Sequence, residues 1–153
     1  MTAGQEAAQR VQRNLDKALA TTLATQQAED RYFIGEALLA AITLFLLNRY
    51  AGAYVDKLGL KPLAESHAEK TKAYLGRIRA KEIAPSDTVD QEQLLQEAVL
   101  TVRKLGRQQN AEEAANQALV LELTQAGALR AQATTTVASV AAAFNEAVRK
   151  SDG

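Results

Sequence analysis

His67 is the chain's only histidine, and there is no cysteine, which removes most of the side chains that bind metals or attack carbonyl groups. Thiol chemistry, disulfide frameworks and zinc sites built from cysteine or several histidines are excluded. A di-iron or di-manganese carboxylate site needs Glu-x-x-His twice plus two further glutamates, and the residue three before His67 is Ala64. Haem ligation would rest on His67 alone. Its surroundings, Ala64-Glu65-Ser66-His67-Ala68-Glu69-Lys70, read as a solvated face, so a surface histidine is expected. No Gly-x-Ser-x-Gly elbow and no Gly-x-x-x-x-Gly-Lys-Ser/Thr phosphate loop is present. The acid pairs Glu112 with Glu113 and Glu92 with Glu97 read as ordinary helix charges, favoured near N-termini by the macrodipole. The expectation is a protein that is not an enzyme and carries no cofactor or metal.

Two other residue groups remain. Lys70, Arg77 and Lys81 can share one helix face at spacings of seven and four, with Lys72, Arg79 and Tyr74 among them, and such a stripe can meet an anion or phosphates weakly. Glu65, Glu69 and Glu82 interrupt the segment, and no aromatic series is available to stack bases, so nucleic acid is disfavoured as a partner. The second group lies in Ala37 to Leu47, Ala-Leu-Leu-Ala-Ala-Ile-Thr-Leu-Phe-Leu-Leu, which is uncharged and apolar around the whole helical wheel. As a helix it would be roughly 17 Å long, short of the roughly 30 Å hydrocarbon core. Widening it to Tyr32 through Val55 brings in Glu36, Asn48 and Arg49, and a charge near the centre costs about 2.5 to 3.5 kcal/mol on insertion scales. The expected reading is a buried central helix. Were it exposed, Leu38, Ile42, Phe45, Leu46, Tyr50 and Tyr54 would be the contacts offered to a partner or a membrane. Tyr32, Tyr50 and Tyr54 suit either an interfacial belt or, as we expect, the ends of a buried helix.

The elements that would position these residues read as helix nearly throughout. Two prolines, Pro62 and Pro85, and eight glycines break a chain rich in Ala, Leu, Gln, Glu, Lys and Arg. A first helix is expected from about Ala3 to Gln27 along Ala8, Val11, Leu15, Ala18 and Thr22, with Leu19 and Leu23 widening the stripe. Asp30 would cap a second, Arg31 to Leu58, ended by Gly59. Pro62 would open a third to about Ile83, facing inward through Leu63, Ala73, Tyr74, Ile78 and Ala80. The clearest break is at residues 84–88, with Thr88 and Gln91 as a capping box for a fourth helix whose seam is Leu95, Ala98, Val102 and Leu105. Gly106 would close it. Asn110 and Glu113 would cap an Ala-rich stretch to Arg149, one helix or two, with a phase slip near Gly127 and three adjacent threonines at 134–136.

The fold class expected is therefore all-α, a soluble single-domain bundle over 1–153 of about five long, mostly antiparallel helices with a buried apolar second helix. Eighteen basic residues balance eighteen acidic ones, so no global field recruits nucleic acid. The first thirty residues lack the pattern of a secretory signal, and the expected compartment is the cytoplasm. With catalytic sites set aside, the leading functional expectation is a non-enzymatic interaction or adaptor module. Its partner would be another protein or a second copy, through the Ala-rich C-terminal helix or a groove beside the second helix. The alternatives are a membrane-active protein that exposes residues 37–47 on a trigger, and a bundle holding a small apolar ligand around Phe33, Phe45 and Tyr50.

Overall fold

The computed structural model describes residues 2–24 and 35–150, and every described element is α-helical. The sequence-predicted cap Asp30, the helix start at Arg31, Tyr32, Phe33 and the C-terminal tail lie outside the described residues. Among the described residues there are seven helices where about five were expected: α1 (Ala3–Asn14), α2 (Lys17–Ala24), α3 (Glu36–Lys57), α4 (Lys61–Ala80), α5 (Pro85–Leu105), α6 (Gln109–Gln125) and α7 (Arg130–Lys150).

The extra breaks have local causes. Leu15 is extended at ψ 127°, and the Asp16 carboxylate accepts the Ala18 N–H at 2.8 Å, so Asp16 starts a new helix as an N-cap does. The phase resets there. Ala18, expected to face inward, is exposed, while Leu19 and Leu23, read as widening the stripe, are buried together with Ala20 and Ala24. At the other break Gly127 has φ 110°, and the Ala128 N–H reaches back to the Leu123 carbonyl at 3.0 Å. The same six-to-one closure ends α3, from Leu60 to Val55 around Gly59, and α4, from Glu82 to Arg77 around Lys81. Residues 111–149 are thus divided between two helices.

A methyl group at Gly127 would meet the Thr22 methyl at an ordinary 3.5 Å, so the obstacle to a side chain there is the backbone conformation. Gly127→Ala should cost about 1 to 2 kcal/mol, read as a lower urea midpoint with an unchanged slope.

Other helix starts differ from expectation. α5 begins at Pro85, three residues before Thr88, because the Asp87 carboxylate accepts the Ala84 N–H at 3.0 Å. α6 begins at Gln109, where Asn110 accepts the N–H of its neighbour Ala111 rather than acting in a capping box. α1 opens on a reciprocal box in which Thr2 Oγ1 accepts the Gln5 N–H at 3.1 Å and Gln5 Oε1 accepts the Thr2 N–H at 2.9 Å.

α3 runs through the middle and contacts each of the other six helices. Its apolar wheel explains this, since a helix without a polar face gains from cover on every side. α7 packs against α1, α3, α5 and α6 through Ala133, Val137, Val140, Phe144 and Ala147, the seam read from the sequence. In α4 the buried stripe is His67, Thr71, Tyr74 and Ile78, whereas Ala73 and Ala80 are exposed. Leu105 is half-exposed at the frayed end of α5 rather than part of its seam.

Candidate functional site

Of the six α3 residues that could serve as contacts, Ile42, Phe45, Leu46, Tyr50 and Tyr54 are buried, and Leu38 is partly covered. The folded chain does not present them as a surface. Tyr50, Tyr54 and Phe144 form an aromatic cluster: Phe144 meets Tyr50 edge-on with ring centroids 5.4 Å apart and Tyr54 at 5.7 Å. Such pairs add about 0.5 to 1.5 kcal/mol beyond area burial. The Tyr54 hydroxyl accepts the Gln108 N–H at 2.9 Å, tying α3 to the α5–α6 connection. Burial raises the pKa of both tyrosines, which keeps their hydroxyls neutral. Phe45 and Tyr50 are buried among the helices, and Phe33 lies outside the described residues.

The basic stripe is distributed otherwise than its spacing implied. α4 and α5 lie side by side in opposite directions, joined by residues 81–84, and between them is a cleft of about 440 Å³. Lys70 and Arg77 form one wall, and Asp87, Asp90 and Glu97 stand on the other. Arg77 Nη1 is 3.4 Å from Asp87 Oδ1, so its charge is largely answered within the chain. Lys81 ends α4 in the left-handed conformation at φ 59° and is not part of the cleft. Tyr74, Gln91 and Leu94 make the floor.

Beneath that floor lies a polar layer that sequence reasoning missed. His67 is fully buried, contrary to the surface position expected. Its Cβ is the atom a methyl on Gly52 would meet at 3.3 Å, so the glycine lets α3 and α4 approach closely. His67 Nδ1 lies 3.3 Å from the Leu63 carbonyl, while Nε2 has no partner. Burial, foremost, lowers the His67 pKa below 6.5; Glu97 opposes the shift and Lys70 adds to it. Asn48 Nδ2 donates to the Gln91 backbone carbonyl at 3.1 Å and to its side-chain Oε1 at 3.2 Å. The Thr71 hydroxyl is buried without a hydrogen-bond partner, and Thr88 stands beside the buried Tyr74 hydroxyl.

Apolar surface remains on the outer helices. Leu121 is 58% exposed and Leu129 75%, and a groove of about 310 Å³ between α6 and α7 is lined by Val120, Leu121, Thr124, Arg130 and Thr134. Thr134 therefore faces outward, Thr135 bonds back to the Ala131 carbonyl at 3.0 Å, and Thr136 is buried. Among the described residues no group of three acidic or histidine side chains is placed to hold a metal ion. Compared with known protein families, with curated proteins and with solved structures, the chain matches none.

Proposed function

We propose that the chain is a non-enzymatic recognition module, a helical bundle that docks a helix of another protein onto the outer face of α6 and α7. The observation carrying this reading is the exposure of Leu121 and Leu129, large apolar side chains near the turn that joins these helices, beside a groove lined partly by Val120. A partner helix burying such side chains gains about 25 cal/mol per Å² of apolar area, and leucine anchors at helical spacing are the usual grip of a helix in a groove. The contact surface is thus placed away from the Ala-rich seam of α7 and away from α3, whose apolar residues are occupied by neighbouring helices.

A photo-crosslinking residue at position 121 should trap one discrete species that the same residue at Lys104, on an exposed part of α5, does not. With the crosslinker kept at position 121, L129E should abolish the adduct while leaving stability within about 0.5 kcal/mol, as for surface substitutions generally. Equal products from both positions would remove the reading. Light scattering across concentrations assigns the partner: a defined multiple of 16.5 kDa that L121E returns to monomer makes it a second copy.

α3 is long and apolar enough to cross a membrane, with 72% of its most apolar window buried. A membrane-active role would require it to leave all six neighbours. Flotation of the same preparation with anionic vesicles tests that alternative, and detergent-free binding to them would put it first.

A further inference from the structure

The α6–α7 face differs from the rest of the surface in what it lacks. Charged residues make up 24% of the chain, yet between Glu113 and Glu146 only Glu122 and Arg130 carry charge. Glu122 is drawn aside by Arg49 of α3, whose Nε lies 2.7 Å from its carboxylate. What the two helices leave exposed between those limits includes Ala118, Leu121, Ala131 and Ala138, with Leu129 at the turn. Loss of charge around large apolar side chains is the composition of an interface centre, and the alanines let a facing helix come close. Two charges remain, one at each end of the groove. Arg130 lines it beside the turn, and Glu113 continues the stripe of Gln117, Val120 and Thr124 at spacings of four, three and four. Both are exposed, and neither forms an ion pair among the described residues. Because α6 and α7 run in opposite directions, Arg130 is level with Gln125, and helix rise puts Glu113 roughly 18 Å further along.

An uncharged strip with a positive end and a negative end is complementary to itself once it is reversed. Two copies related by a two-fold axis can face each other in two ways, since each patch must then meet its own kind. With the axis along the helices, Arg130 would meet Arg130 and Glu113 would meet Glu113, and like charges placed together disfavour the contact. With the axis across them the ends are exchanged, and each Arg130 comes to the end that carries the partner's Glu113. Leu121 stands about 3 Å by helix rise from the midpoint of the strip, so its two copies flank the axis. We infer that what docks on the α6–α7 face is the same face of a second copy, reversed end for end, with Leu121 at its centre and Arg130 and Glu113 setting its direction. This rests on the reading of that face as a docking surface and names its occupant.

Sedimentation equilibrium of the full chain at low salt, up to about 1 mM, tests it with two charge reversals. The mass should climb from 16.5 kDa toward twice that value as concentration rises. R130E and E113R, both at exposed positions, should each weaken self-association by roughly tenfold, because each change acts at two symmetric contacts. An equimolar mixture of the two variants should recover the affinity of the unaltered chain, since every reversed end then meets its opposite, and added salt should erase the differences. Circular dichroism should show both variants folded as the parent is. Reversals that leave self-association unchanged or strengthen it, or a mixture no tighter than either variant alone, would overturn the reversed pairing. A mass fixed at 16.5 kDa throughout, while a crosslinker at position 121 still traps a different protein, would overturn the second copy and leave the docking surface standing. A monomer that traps nothing would remove both.

Discussion

Replacing Phe144 by alanine should destabilise the protein by about 3 to 5 kcal/mol, the range for removing a fully buried aromatic side chain. Phe144 has no exposed area and touches both Tyr50 and Tyr54, so the change opens a hole where α7 meets α3 and deprives both tyrosines of a ring partner. For a chain of this size that corresponds to a fall of roughly 10 °C or more in the unfolding temperature. Phe144→Leu, which keeps most of the volume, should lose under half as much. Thermal unfolding followed by circular dichroism gives both numbers, and a Phe144→Ala shift below about 3 °C would mean that the α3–α7 contact is looser than its geometry.

Acid should weaken the fold through one residue. The His67 pKa lies below 6.5 in the folded chain because burial disfavours its charged form, and it returns to about 6.5 on unfolding. Well above pH 6.5 the ring is neutral in both states and contributes no pH dependence. As pH falls below 6.5, the unfolded chain takes up a proton that the folded chain refuses, so stability declines by up to about 1.4 kcal/mol per pH unit until the folded ring also titrates. Denaturant titrations between about pH 5 and 6.5 should show this slope, and His67→Gln should flatten it even if it lowers stability overall. An equal slope in the variant would assign the acid sensitivity to carboxylates.

Much of this architecture can be read from apolar spacing and breakers. Gly59, Pro62, Pro85, Gly106 and Gly127 all stand at helix ends, and the uncharged run through Leu47 is buried because a helix with no polar face has nowhere else to go. The break at Asp16 is harder to see, since Val11, Leu15 and Leu19 keep helical spacing through it, and only the capping ability of aspartate betrays it. His67 was obscured by local composition: Glu65, Glu69 and Lys70 make its surroundings look wet. The signal was present at longer range, because His67, Thr71, Tyr74 and Ile78 recur at four, three and four residues and share one face. As for the cleft, Lys70 and Arg77 can be placed together from their spacing alone. Which carboxylates face them depends on the turn at residues 81–84, whose left-handed Lys81 fixes how α5 comes back alongside α4. No pattern of polar and apolar residues encodes that register.

The meeting of α1 with α7 has a consequence for how the protein is made. Ala7 and Val11 are covered in the finished fold, and α7 is the helix against which α1 packs most extensively. During synthesis, α1 is translated more than a hundred residues before that partner. Closing so long a loop costs entropy that only the completed contact repays. Because α1 also packs on α3 and α5, its stripe is covered in two stages, and the seal between α1 and α7 is the late one.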